Sequence, residues 1–223
     1  IMSATLTIPM TEGIKKMPAV VMVTGSGPQN RDEEIYEHKP FAVIADYLAR
    51  NGIASLRYDD RGTGRSTGDF ITSSTLTFKD DAVSGIEFLR SMRCIGPVGV
   101  LGHSEGGTIA FIIGSEGKAD FIISLAGMAI SGKETMMRQN EQNLDKLNLS
   151  EVDKANSLKL IDIVFDEMAT QTKQDVSKPI NIDDLVANNN LSVPQMVTQS
   201  LKMTQKTPVS YTHLRAHETL SDL

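Results

Sequence analysis

The stretch Val98–Phe111, VGVLGHSEGGTIAF, limits the possible folds of this chain more than any other. An apolar run ends on Gly102, Ser104 sits between His103 and Glu105, and Gly106 and Gly107 open an apolar helical pattern. Gly-x-Ser-x-Gly between a strand and a helix marks a very tight turn, with no room for side chains at Gly102 and Gly106. Such a turn strains the serine backbone and projects its hydroxyl above a sheet. It also places Ser104 at a helix N-terminus, where unpaired N–H groups and the helix dipole stabilise developing negative charge. The N–H of Glu105 is one such group, and its carboxylate favours the same helix end. The competing reading of these residues is a serine that merely caps a helix.

The surrounding sequence supplies the strand and the helix. AVVMVT (19–24) is a continuous apolar run, as in a strand covered on both faces. FAVIADYLARNG follows, with Phe41, Ile44, Ala45 and Leu48 on one stripe and Gly52 placed to stop a helix. IASLRY (53–58), PVGVLG (97–102) and ADFIISLAG (119–127) read as further strands, and ATLTIP as an edge strand. FKDDAVSGIEFLRS, with Ala82, Ile86 and Leu89 on one face, and SEGGTIAFIIGS read as helices. Repeated units of this kind predict a mostly parallel sheet with helices on both faces, an α/β class. From 131 to 207 no strand is evident. NSLKLIDIVFDEM places Leu158, Ile161, Phe165 and Met168 on one helical face, and VPQMVTQSLKM gives a weaker helix. Six of the eleven methionines lie between Met128 and Met203. Two readings fit: a pliable lid over an apolar substrate, or a helical satellite packing its own core.

A chain of 223 residues, 40% hydrophobic, can bury one full core. Its net charge of −6 and lack of a basic cluster argue against a nucleic-acid partner. No apolar run reaches membrane-spanning length. The single cysteine, Cys94, ends a helical segment and reads as a packing residue. The chain opens on Ile1, so the expected native N-terminus lies upstream and the compartment stays open.

Two further loops frame the serine. TGSGPQNRDE (24–33) follows the first apolar run, and a glycine-rich turn there can aim a backbone N–H across the sheet top. By position Ser26 is the expected second oxyanion donor, with Gly27 as its neighbour. YDDRGTGRSTGD (58–69) lacks the lysine and spacing of a phosphate loop. It reads as a turn in which Asp60 and Arg61 pair and brace the site.

GSGPQNRDE, HKPFAVIADYLARNGIASLRYDDRGTGRSTGDF and GHSEGG together resemble the α/β-hydrolases related to serine aminopeptidases, especially the EstD-type bacterial acyl esterases. The resemblance covers about 4–130. It implies the N-terminal part of an α/β-hydrolase core over 1–130 and a helical cap over 131–207. It also implies hydrolysis of a small acyl ester through an acyl-enzyme on Ser104, without metal or cofactor. The serine sets the chain apart from dienelactone hydrolases, which share the fold but carry cysteine at that corner.

A serine hydroxyl needs a base, and in this fold the order is Ser, then Asp or Glu, then His. His38 precedes the serine, and His103 is the corner's own variable residue. His213 and His217 lie in VSYTHLRAHET, for which one choice of codons spells a transposase adapter used in short-read sequencing libraries. Residues 208–223 are therefore expected to be foreign to the protein. The resemblance puts the missing acid and base after the cap, so the fragment is expected to be inactive alone. A peptidase releasing N-terminal residues and a non-catalytic binding protein remain as alternatives.

Overall fold

In a computed structural model of the chain, described over residues 1–10, 16–170 and 179–204, the apolar runs form one sheet. Its strands are β1 (Ala4–Thr7), β2 (Met17–Val23), β3 (Ala54–Tyr58), β4 (Ile95–His103) and β5 (Ile122–Leu125). They lie in the order β1-β3-β2-β4-β5, with β1 antiparallel to β3 and all other pairs parallel. This is the mostly parallel sheet expected from the alternating pattern.

Successive side chains of a strand point to opposite faces, and β2 shows why its sequence is apolar throughout. Val20 and Met22 pack with Phe41 and Ala45 of helix α1 (Pro40–Arg50). Val21 and Val23 belong to the opposite core, with Phe78, Ala82, Ile86 and Leu89 of α2 (Thr75–Arg90) and Ile109 and Ile113 of α3 (Glu105–Ser115). Each fully buried side chain of this size contributes ~1.5–3 kcal/mol. Pro40 starts α1 at a position that needs no N–H partner, and Gly52 follows its end at φ +81.

Strand β5 is shorter than the predicted 119–127. Asp120 and Phe121 still exchange backbone bonds with Val98 and Val100, but Ala126 turns left-handed at φ +54 and ends the ladder. At this sheet edge Ile122, Ile123 and Leu125 remain more than a third exposed.

The chain divides into two compact units, Ile1–Ala129 and a second beginning at Ile130. The second contains α4 (Gly132–Asp145), α5 (Glu151–Thr170), α6 (Ile182–Asn188) and α7 (Gln195–Thr204), and no strand among the described residues. It has its own core, in which Ile161, Phe165 and Met168 of the predicted stripe join Leu144, Ile182, Val197 and Leu201. Helix α4 was illegible in the sequence because it buries only Gly132 and Leu144. A cleft of about 270 Å³ within this unit is lined by Met136, Asn140, Phe165, Met196 and Leu201. Among the described residues, no helix is long and apolar enough to cross a membrane. The stretch 208–223, expected to be adapter-derived, lies outside the described residues.

Candidate active site

Topology selects one place on this sheet. Strand β2 leads through α1 to β3 on one side, while its neighbour β4 leads through α3 to β5 on the other. Connections that diverge from adjacent parallel strands open a crevice at their carboxyl ends. The loop after β2 and Ser104 after β4 lie at that crevice.

Ser104 occupies φ +52, ψ −115, a region that non-glycine residues rarely enter. Its N–H donates to the Leu125 carbonyl at 2.9 Å, and its own carbonyl accepts from Gly107 and Thr108 at 3.0 and 3.2 Å. The side chain makes no capping hydrogen bond, so the hydroxyl is not consumed by a helix end. A methyl on Gly102 would lie 1.9 Å from the Gly106 carbonyl oxygen, and one on Gly106 would lie 2.1 Å from that of Val23. Both glycines are thus required by close approach of main chains.

Glu105 begins α3 but sends its side chain inward. It is only 4% exposed, and Oε1 accepts from the Thr75 hydroxyl at 2.7 Å. The carboxylate therefore ties α3 to α2, beyond the helix-end role expected for it.

The loop after β2 is held from several sides. Arg31 grips Asp59 with Nε to Oδ1 at 2.9 Å and an Nη to Oδ2 at 2.8 Å, and its backbone N–H reaches Oδ1 at 3.0 Å. That guanidinium, foremost through its side-chain hydrogen bond, holds the Asp59 carboxyl down to about 2. Asp32 pairs with Arg57 of β3. Gly25 abuts the nucleophile, a methyl there lying 3.3 Å from the Ser104 Cβ. Its N–H is engaged by Glu33 Oε1 at 2.7 Å. Ser26, the expected donor, follows in the bend after Gly25, and its carbonyl accepts from Gln29 Nε2 at 3.4 Å.

Asp60 and Arg61 do not pair with each other. Arg61 forms a two-pronged bond with Asp81 of α2, at 2.8 and 2.5 Å. Asp60 accepts from the Thr24 hydroxyl and the Gln29 N–H, both at 2.9 Å. The two residues open a turn closed by the Thr63 N–H on the Asp60 carbonyl at 2.9 Å, and each side chain carries its brace to a different partner. Burial pushes the Asp60 carboxyl up to about 7. The Gln29 and Thr24 hydrogen bonds oppose this, and the charges of Glu105 and Asp81 add to it. Between its unfolded value near pH 4 and about pH 7, the folded chain keeps a proton that the unfolded chain releases. Stability therefore falls as pH rises through that window, by on the order of a few kcal/mol.

Asp60→Asn should remove this slope. The Thr24 hydroxyl can accept as well as donate, so an amide at 60 retains both contacts. Urea denaturation across pH 4–8 is expected to give a flatter profile for the variant and a more stable protein at pH 8. Parallel profiles for variant and parent would refute the assignment.

No spacing of residues signals Glu33, Asp59 or Asp81. NRDEE reads as a solvated run, yet Glu33 is buried and binds Nδ1 of His103 at 2.8 Å. His38 sits in a short bridge with Ile35 at the head of α1.

A model of the family described as "Serine aminopeptidase, S33" matches residues 37–216, a span that includes the start of the stretch read above as adapter-derived. Esterase EstD of Thermotoga maritima is 36% identical over 138 residues, 60% of this chain and 32% of that protein. An acyl transferase of Photobacterium leiognathi is 29% identical over 123 residues, 55% of this chain and 37% of that one. The chain thus spans about a third of the length of these relatives. An α/β serine hydrolase without lid from Xanthomonas campestris is 20% identical, with a TM-score of 0.46 over 57% of this chain and 56% of its own.

Proposed function

The chain belongs to the serine aminopeptidase, S33, family of α/β-hydrolases, and from that premise we propose that the whole protein hydrolyses small to medium carboxylic esters through an acyl-enzyme on Ser104. One observation carries the choice of nucleophile: a serine held at φ +52 at the first turn of α3, with its hydroxyl not bound to the helix end.

In this reaction the Ser104 oxygen attacks the acyl carbonyl and its proton passes to a histidine base. The carbonyl electron pair moves onto oxygen, which the N–H of Glu105 stabilises from the start of α3. By its position in the loop after β2, the second donor is the Ser26 N–H; the Gly25 N–H is bound to Glu33. Collapse of the tetrahedral intermediate expels the alcohol, protonated by the same histidine, and water then releases the acid. Gly102 and Gly106 keep the corner tight, Asp60 braces the loop through Thr24 and Gln29, and Arg61 braces the next loop through Asp81.

Neither His38 nor His103 serves as the base in this proposal. His38 precedes the nucleophile, and Nδ1 of His103 is bound to Glu33. With His213 and His217 read as adapter-derived, residues 1–223 alone are expected not to turn over ester.

The family description favours a second reading, release of N-terminal residues from peptides. Both activities share the acyl-enzyme, so substrate ranking separates them. The whole protein is expected to cleave short p-nitrophenyl esters with higher kcat/KM than aminoacyl p-nitroanilides. The reverse ranking would establish the peptidase.

A further inference from the structure

We propose that Glu33 is a positioning residue for this reaction, a clasp that holds the loop after β2 in register with the corner bearing Ser104 through one carboxylate oxygen. The inference rests on the acyl-enzyme reading above and gives a role to a residue that reading leaves unused.

Both halves of the site meet on the same atom. Glu33 Oε1 accepts the Gly25 N–H at 2.7 Å and lies 2.8 Å from Nδ1 of His103. A carboxylate oxygen accepts, so Nδ1 is the donor. Gly25 belongs to the loop expected to supply an oxyanion donor, and His103 immediately precedes the nucleophile. A methyl on Gly25 would lie 3.2 Å from Glu33 Oε1, 3.3 Å from Ser104 Cβ and 3.4 Å from His103 Nδ1. Four residues therefore converge on one point, and a methyl at 25 would press its neighbours back by a few tenths of an ångström.

The chain is shaped to deliver this side chain. Glu33 adopts φ +51, a left-handed conformation costing a non-glycine residue roughly 1–2 kcal/mol. Asn30 builds the turn: its carbonyl accepts the Glu33 N–H at 2.9 Å, and Oδ1 accepts from Asp32 and Glu34 at 3.0 and 3.2 Å. Glu34, Tyr36 and Glu37 are exposed, whereas Glu33 is 7% exposed. Tyr36 and Glu37 share the positive φ while exposed, so it is the burial of Glu33 that sets it apart from a solvated loop glutamate. The Arg31–Asp59 pair anchors the same turn against the loop after β3.

Donors to a developing oxyanion act over a few tenths of an ångström, and misplacing them by about 1 Å costs on the order of 10²-fold in rate. In the full-length protein acting on p-nitrophenyl butyrate, Glu33→Ala is expected to lower kcat roughly 10²-fold, with KM changed by less than about threefold. Glu33→Gln presents an amide oxygen at the same reach and is expected to lose only about fivefold. Glu33→Asp keeps the charge but withdraws the oxygen, and should fall with the alanine variant. If Glu33→Ala does not fold, the order of the other two decides: glutamine above aspartate supports the clasp, and aspartate at or above glutamine overturns it. An alanine variant with kcat unchanged overturns it as well. Fluorophosphonate labelling of Ser104 in the unsubstituted protein separates the two levels. Labelled, active protein with the wrong variant order sinks the clasp alone, whereas unlabelled, inactive protein sinks the acyl-enzyme reading and the clasp with it.

Discussion

Ser104→Ala in the full-length protein is expected to lower kcat for ester hydrolysis by roughly 10⁴- to 10⁶-fold, with KM little changed. Without the oxygen no acyl-enzyme forms, and what remains is the acceleration that oxyanion donors and substrate binding give to attack by water. The fold should not suffer, since alanine adopts φ +52 at about the same cost as serine. Ser104→Gly supplies the converse control. It should be equally inactive but more stable by ~1 kcal/mol, because glycine enters that region without strain. Residues 1–223 should hydrolyse ester no faster than their own Ser104→Ala variant. Turnover by the 223-residue chain that vanishes on this substitution would show that a base lies within it.

The largest expected loss of stability comes from Gly102→Ala. The added methyl would meet the Gly106 carbonyl oxygen at 1.9 Å, its carbon at 2.1 Å and the Gly107 nitrogen at 2.6 Å. All three are main-chain atoms of the first turn of α3, so no side-chain rotation relieves the overlap. Overpacking of yielding side chains costs about 1–3 kcal/mol, and a rigid backbone puts this substitution at roughly 3 kcal/mol or above. Gly117→Ala calibrates the measurement. Its φ is +65 and nothing lies within 4 Å of the added methyl, leaving only about 1 kcal/mol of backbone strain. Urea denaturation of the two variants should therefore differ by about 2 kcal/mol. Equal midpoints would mean that the β4–α3 junction is looser than described.

Periodicity made the sheet legible because its central strands and the helices that cover them bury apolar stripes. The run 19–24 is apolar on both faces because α1 covers one and α2 and α3 cover the other. The corner at Ser104 was legible because glycine spacing records main-chain contact, which few other residues tolerate. What the sequence concealed was the partner of each charge. Asp60 and Arg61 are neighbours in the chain but serve different elements, and Arg31 finds Asp59 across 28 positions. Hydrogen-bond partners between loops leave no period to read. Glu33 was hidden for the same reason, inside a run of charges that resembles a solvated surface.

The crowding around position 104 arises from main-chain atoms of Gly106, Gly107 and Val23, not from the hydroxyl itself. The corner accordingly specifies where a β-carbon sits and is indifferent to the element attached to it. Sulfur in place of oxygen would leave the β-carbon on the same perch, because the main-chain contacts that build the corner do not involve the hydroxyl.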